Sequence, residues 1–419
     1  MATSRDDKKL TFRKFEDGDN KWDKWTDAIF EGDHSHKCPT YVHRTPPCQG
    51  SCPSGEDIRG WLDIVRGIEK PPQDITMQEY AFRRSTDANP FPAMMGRVCP
   101  APCQDGCNRN DVEDFVGINA VEQYIGDAAF TQGFKFEPAP ALIGKKVAII
   151  GGGPAGLAAA WQLRLLGHAV TVYEADHEIG GKLRQVIPAD RLPADSLESE
   201  IQRIKDIGIK VRNETRVDPE LFKTIRQESD AVVVASGAHN PVVIPFPGHE
   251  LMTRGLDFLK AVNAGKRPKV GQTVIVIGAG NAGMDVCLGA YAMGADKVLA
   301  IDIQRPAAYQ HEIEAVKALG GEIRWPVFTE KVTEDGLWTK DGELIEADQV
   351  IIAIGERPDL SYVPREWLTD RGMMDVDACS QVVKAPGVFS IGDTVQPGLL
   401  THAIGGGQVL HLVCDLSIA

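Results

Sequence analysis

The chain lacks an uninterrupted apolar run of the ~18 residues that a membrane-spanning helix needs. The nearest stretch, 147–167, is broken by glycines, Pro154 and Arg164. It also lacks a surplus of positive charge. Lys and Arg number 45 against 59 Asp and Glu, a net charge of −14. That balance excludes nucleic acid or an anionic membrane as the main partner, because phosphate binding draws on excess cations. The opening MATSRDDKKLTFRKFEDGDN is charged, with no apolar core, so no signal peptide is expected and a cytoplasmic protein is predicted. Paired C-x2-C knuckles are missing. No C-x4-C follows Gly181, and Cys287 stands alone in its segment. These absences exclude a redox dithiol of either common reductase type. A chain of 419 residues buries enough apolar surface to do without disulfide staples.

The nine cysteines are unevenly spread. Cys38, Cys48, Cys52, Cys99, Cys103 and Cys107 fall in the first quarter, while Cys287, Cys379 and Cys414 are scattered. Clustered cysteines in a reducing compartment point to metal ligation. The first 140 residues carry short helical patterns at Glu56–Gly67 and Gln78–Thr86. Phe136–Leu142, with two prolines, reads as a linker.

From Lys145 the texture changes. KKVAIIGGGPAGLAAAWQLRLLGHAVTVYEA is a strand, a glycine turn, a helix and a second strand, and QTVIVIGAGNAGMDVCLGAYAMGADKVLAID repeats it from Gln272. In the first turn, Gly151 permits the bend, Gly153 lets a pyrophosphate approach and Gly156 lets helix and strand pack closely. The helix N-terminus beyond it attracts phosphate. Glu174 ends the next strand, 174 − 151 = 23 residues on, where a carboxylate accepts ribose hydroxyls. Gly278, Gly280 and Gly283 repeat the turn, with Asp302 following at 302 − 278 = 24. One such turn is weak evidence; two, each flanked by strand, helix and acid, predict two dinucleotide sites.

FAD is assigned to the first site and NAD(H) to the second. Gly180–Gly181 follow the first acidic strand, Ala231–Gly237 (AVVVASG) is an apolar strand ending in small residues, and VFSIGD ends at Asp393 before THAIGGGQ. Asp393 is expected at the ribityl or phosphate part of a flavin, and the glycine run at a helix N-terminus facing its N1–O2 edge. The flavin-side candidates are Gly151, Gly153, Pro154, Ala155, Gly156, Glu174, Gly181, Lys182, Leu183, Ser236, Gly237, Gly392, Asp393 and Thr401. The nicotinamide-side candidates are Gly278, Gly280, Asn281, Ala282, Gly283 and Asp302. Asp302 favours NAD(H) over NADP(H), because a carboxylate repels a 2′-phosphate and the nearest cation is Arg305.

In the cysteine region, Cys52-Pro53 follows Cys48 at the spacing that ends a ferredoxin run. Pro100 and Pro102 prevent a continuous helix through Cys99, Cys103 and Cys107. Thiolates suit iron–sulfur clusters or zinc. The missing knuckles favour iron–sulfur over zinc, and buried unliganded cysteines are the third reading.

FPAMMGRVCPAPCQDGC (Phe91–Cys107), PPCQGSCP (Pro46–Pro53), the two glycine turns, AIGERPD and IGD together resemble the glutamate synthase small (beta) subunit. The same module occurs in the flavin half of dihydropyrimidine dehydrogenase and in ferredoxin-dependent transhydrogenase large subunits. The resemblance covers almost the whole chain. It implies an α/β fold with two Rossmann-like domains, the NAD domain inserted in the FAD domain, behind an α-helical iron–sulfur domain. The corresponding boundaries are 1–140 for the helical domain, 141–245 with 360–419 for FAD, and 246–359 for NAD(H). It implies two 4Fe-4S clusters. Cys52, Cys99, Cys103 and Glu122, with Gln123 in reserve, would hold the one nearer the flavin. Cys38, Cys48 and Cys107 would hold the distal one. The usual C-x2-C-x4-C-x3-C-P is incomplete here, so the distal cluster is one thiolate short, and His43 is a candidate replacement. One or two clusters are therefore expected. The Arg-Arg pair of NADPH-using members is replaced by Ile303-Gln304.

No side-chain nucleophile or further substrate domain is evident. The expected function is an electron-transfer subunit exchanging hydride with NAD(H) and single electrons with a partner. That partner is a catalytic oxidoreductase subunit or a ferredoxin-like iron–sulfur subunit, in a glutamate synthase or a tungsten-dependent aldehyde oxidoreductase complex. The alternatives are a free-standing NADH dehydrogenase reducing a quinone or dye, and a cofactor-free scaffold.

Overall fold

The computed structural model describes residues 45–113 and 116–407. Cys38 and His43 lie outside the described residues, as does Cys414. Helix α1 (Ile58–Val65) starts where the Asp57 carboxylate accepts the Gly60 N–H, and buries Ile58, Trp61 and Ile64 at helical spacing. Helix α2 (Met77–Ser85) is capped by Thr76. Helices α3 (Pro92–Val98) and α4 (Ile118–Gln132) cross backbone to backbone. A Cβ on Gly96 would lie 2.3 Å from the Gln123 nitrogen, and one on Gly126 would lie 2.1 Å from that of Ala93. Helix α3 stops at Cys99, as the prolines require, and Ala101 turns left-handed at φ 56°. A helical turn over Pro102–Asp105 follows, so the cysteines lie on a folded loop rather than one helix face.

The first sheet is wholly parallel. Its strands are β1 (Lys146–Ile150), β2 (Ala169–Tyr173), β3 (Lys210–Arg212), β4 (Ala231–Val234) and β15 (Val388–Ser390), ordered β15-β4-β1-β2-β3. Four of the five β1 residues are buried, as in a strand covered on both faces. Its central strand feeds helix α5 (Pro154–Leu165). Helix α6 (Ala194–Asp206) buries Leu197, Ile201 and Ile204.

A second sheet repeats this order between β4 and β15. Its strands are β6 (Thr253–Arg254), β7 (Thr273–Ile277), β8 (Lys297–Ile301), β9 (Glu322–Arg324) and β13 (Gln349–Ile352), ordered β6-β13-β7-β8-β9. Helix α7 (Asn281–Ala292) follows β7. Strands β10 (Thr329–Thr333), β11 (Gly336–Thr339) and β12 (Leu344–Glu346) form an antiparallel appendage. The chain leaves the first unit along β5 (Asn240–Pro241) and returns along β14 (Glu356–Arg357), which pair as a ribbon. Both glycine turns thus sit at the switch point of a doubly wound sheet. Gly151 and Gly278 have φ of 108° and 112°, and a Cβ on either would lie 2.3 Å from a neighbouring carbonyl, Ala235 or Ala353.

The cores are not separate everywhere. Phe91, Met94, Met95 and Val98 of α3 belong to the apolar cluster containing Ile149, Leu157, Ile201 and Phe389 of the first dinucleotide unit. Phe136, in the segment read as a linker, stacks near Phe82 at 5.9 Å and Trp161 at 5.3 Å. Phe136, with Ala139 packed on the same core and the Pro140 carbonyl accepting from Arg164 at 3.0 Å, pins that proline-rich stretch into the seam. No helix among the described residues is long and apolar enough to cross a membrane.

Candidate functional site

A cavity of about 560 Å³ opens over the first glycine turn, within the size range of ligand pockets. Of the flavin-side candidates, Gly151, Gly153, Pro154, Ala155, Glu174, Gly181, Lys182, Ser236, Gly237 and Asp393 line it. A Cβ on Gly153 would meet nothing nearer than the Gly181 Cα at 4.0 Å, so a side chain there would project into the cavity. The cradle therefore fits a bulky dinucleotide pressed against bare backbone. Gly156 instead packs α5 on its turn, with the Gly151 carbonyl 1.9 Å from where its Cβ would be. Leu183 is a buried core residue. Gly392 lies close behind, its missing Cβ 3.0 Å from that of Ala155.

Glu174 accepts the Gly152 N–H at 2.9 Å and the Asp176 N–H at 2.9 Å. Burial raises its pKa, and the amide bonds oppose that. Asp302 repeats the arrangement, accepting from Ala279 N–H at 2.8 Å and Gln304 N–H at 3.1 Å. Each acid thus braces its own glycine turn, with lone pairs to spare for a ribose. Nothing lies within 4 Å of a Cβ built on Gly280. Gly278, Gly280, Gly283 and Asp302 stand apart from the large cavity, whereas Asn281 and Ala282 reach its wall. The start of α7, just past the second turn, therefore reaches the space over the first.

The sulfur site is a small second cavity. Cys52, Cys99, Cys103, Glu56, Glu122 and Thr401 line it. Cys48 sits instead with Cys107, and its charged form feels Cys107 and Cys52. Burial pushes the Cys99 thiol up to about 12 and raises Cys103 further. Glu56 and Glu122 are buried, with pKa values raised by burial; Glu122 accepts from Asn89 Nδ2 at 2.8 Å. Among the described residues no cation pairs with either acid. Three thiols and two buried acids can ionise together in one pocket only beside a positive core that neutralises them. An iron–sulfur cluster fits that donor set. No three such side chains among the described residues converge on one point, as a single ion requires. A cubane spreads its ligands over four irons and does not require that convergence. Gln123 backs onto Gly96 and is not among the lining residues. Cys287 is fully buried in α7, its pKa pushed up to about 12 by burial, which suits an inert packing residue.

Sequence reasoning missed several lining groups. Glu56 lies four residues beyond Cys52 and was findable from that proximity. The others have no local signal. Tyr362 holds Ser236 through a 2.9 Å hydroxyl pair. His239 has a pKa lowered to about 4 by burial and then by Lys260 and Lys182. Lys182, already a flavin-side candidate, bridges Asp393, another, at 3.2 Å and reaches the unforeseen Glu356 at 3.5 Å. Arg191 of the first unit bonds Asp285 at 2.8 Å and reaches Glu312 at 3.4 Å in the second. Thr401 was expected at the flavin; it lines the sulfur cavity, while Leu400 and Ala403 of the same helix line the large one.

Paired doubly wound sheets, each with a glycine turn braced by its own acid, and a thiol nest beside the cavity over the first turn define a class: two-nucleotide oxidoreductases with a sulfur-bound centre. Residues 145–407 match the pyridine nucleotide-disulphide oxidoreductase family, and residues 14–134 match dihydropyrimidine dehydrogenase domain II, 4Fe-4S cluster. The glutamate synthase [NADPH] small chain of Mycobacterium tuberculosis is 32% identical over 430 residues, covering 88% of this chain and 85% of that one. The NADPH-Fe(3+) oxidoreductase subunit beta of Geobacter sulfurreducens is 30% identical over 374 residues, covering 78% of this chain. The chain spans about half of that relative's length, the match covering 54% of it. Mycobacterium tuberculosis FprA in complex with NADPH shares the fold, with a TM-score of 0.54 at 15% identity, covering 65% of this chain and 85% of that one. The chain belongs to the pyridine nucleotide-disulphide oxidoreductase family, with glutamate synthase small chains among its relatives. By family it is a flavin- and NAD(P)-dependent oxidoreductase carrying a 4Fe-4S domain.

Proposed function

We propose that the chain is an electron-transfer subunit, exchanging hydride with NAD(H) and single electrons with a partner oxidoreductase or ferredoxin-like subunit. The observation that carries this reading is the 400–407 helix, α8. Leu400 and Ala403 wall the large cavity and Thr401 the sulfur cavity, so one helical turn separates the two. When bound, FAD couples two-electron hydride chemistry to one-electron steps, and a cluster relays single electrons. The residues' own work is to bind and orient. The α5 N-terminus and bare Gly153 receive the flavin pyrophosphate, Glu174 its ribose, and Asp393 and Lys182 its ribityl side. Cys52, Cys99, Cys103 and Glu122 hold the cluster nearer the flavin. Cys48 and Cys107 hold a distal one with Cys38. Domain limits of 1–140, 141–245 with 360–419, and 246–359 follow from these assignments.

Asp302 supports NADH as the reductant. Its carboxylate follows the second strand of that unit, the position from which an acid would take a ribose 2′-hydroxyl, and Ile303 and Gln304 offer no cation for a 2′-phosphate. The partner is a glutamate synthase-type or aldehyde-oxidising subunit, the latter favoured by NADH. A visible spectrum with iron and flavin assays tests the core of this. One FAD with about four irons per chain supports a single cluster and about eight supports two. Flavin alone points to a free-standing NADH dehydrogenase, and a colourless protein to a scaffold. NADPH turnover equal to that with NADH refutes the cofactor choice.

A further inference from the structure

The loop that carries Cys52 is pressed onto α8. A Cβ on Gly405 would lie 2.1 Å from the Pro53 carbonyl, so the two backbones touch there. One residue further, the Ser54 and Thr401 hydroxyls are 2.6 Å apart, and Ser54 Oγ is also 3.3 Å from the Thr401 carbonyl. Both side chains are fully buried, at 0% and 1% exposure. Thr401 lines the same small cavity as Cys52, and its hydroxyl, with the Ser54 and Glu56 backbone N–H groups, favours the charged form of that sulfur. At Cys99 the Ala101 N–H plays the same part.

Proton accounting fixes the direction of this chain. The two hydroxyls hold two protons between them, and the available acceptors are each other, the Thr401 carbonyl and the Cys52 sulfur. A metal-bound thiolate is the strongest of these and takes a proton donor first. Ser54 then donates to Thr401 Oγ1, and Thr401 donates to the sulfur, each bond polarising the next.

We infer that Thr401, oriented by Ser54, is a positioning residue that acts through Cys52 to raise the reduction potential of the cluster on the flavin side. Reduction adds negative charge that the ligating sulfurs share, so a donor there stabilises the reduced form more than the oxidised form. The inference rests on the cluster assignment proposed above.

The test is an EPR-monitored redox titration of the full chain, purified anaerobically, as wild type, Thr401→Val, Thr401→Ser and Ser54→Ala. Valine keeps the shape of threonine and removes the hydroxyl. Thr401→Val is expected to shift the reduction equilibrium about tenfold toward the oxidised form, a fall of ~59 mV for one electron. Ser54→Ala should shift it in the same direction by less, and Thr401→Ser should stay near wild type. An unchanged midpoint in Thr401→Val with iron retained overturns the inference and leaves the cluster assignment standing. So does a Thr401→Ser shift equal to that of valine, because shape rather than the hydroxyl would then be responsible. If Thr401→Val loses iron, the Ser54→Ala midpoint decides: lowered supports the inference, unchanged overturns it. A wild-type chain without iron removes both the assignment and the inference.

Discussion

Glu200 shows how much one buried proton site can carry. It lies on α6 of the first dinucleotide unit, 1% exposed, and accepts the Ala93 and Met94 N–H groups at 2.7 and 2.9 Å. It thereby caps α3, the helix that ends at Cys99, from another part of the fold. Burial raises its pKa to about 7 from 4.5, against the pull of Arg203 and the two amides. The sign follows from linkage. The folded state holds the proton more tightly than the unfolded one, so this contribution is complete below pH 4.5 and lost as pH rises through 7. The full swing is roughly 3 kcal/mol. Denaturant melts at both ends of that window should show Glu200→Gln losing less stability than wild type as pH rises; equal losses would refute it. Asp302 makes a residue-scale prediction about specificity. Asp302→Ala should lower kcat/KM for NADH by about tenfold to a hundredfold, the worth of a hydrogen bond to a charged group, with flavin content unchanged. Loss of flavin instead would mean that the two nucleotide sites had been exchanged.

At the scale of elements, the strand–turn–helix units were legible because their physics is local. Alternative residues at Gly151 and Gly278 would collide with a carbonyl, and both acids brace the turn they follow. The end of α3 at Cys99 was legible for the same reason, since the prolines beyond it forbid a helix. The α3–α4 crossing was not legible. Gly96 and Gly126 are single glycines inside helical patterns, and only the partner helix explains them. That crossing places Glu122 beside Cys99 and Cys103. Gly126→Ala should therefore cost about 1–3 kcal/mol, because its Cβ meets the Ala93 backbone and not a yielding side-chain tip. Iron per chain should fall with it. A melt unchanged from wild type would show that the helices part freely. Glu122 itself was reached through the family resemblance; nothing in the spacing alone separates it from a solvated helix face.

On the scale of the whole molecule, the illegible part is what joins the units. The helical and first dinucleotide regions share one apolar core through Phe91, Met94, Met95 and Val98, and Phe136 fills their seam. Residues far apart in the chain make those contacts, and a pattern of period 3.6 does not say which partner a face will meet. Arg191 with Asp285 and Glu312, and Lys182 with Glu356, tie the inserted unit back across the ribbon in the same unannounced way. This joining holds the two cavities of the proposed relay side by side, and it sets up a separation of activities. Cys99 lies on the sulfur cavity, and Cys99, Gly278 and Asp302 are absent from the lining of the large one. In Cys99→Ser, hydride transfer from NADH to a dye that draws on the flavin should continue near the wild-type rate. Reduction of a one-electron acceptor such as a ferredoxin should fall by at least the ~10–100-fold that even outer-shell changes at metal sites cost. The paired rates, with iron and flavin content measured on the same sample, check this directly. If both rates fall while flavin is retained, the two cavities do not divide the chemistry between them. If ferredoxin reduction survives the loss of iron, electrons leave from the flavin itself and the sulfur cavity has another purpose.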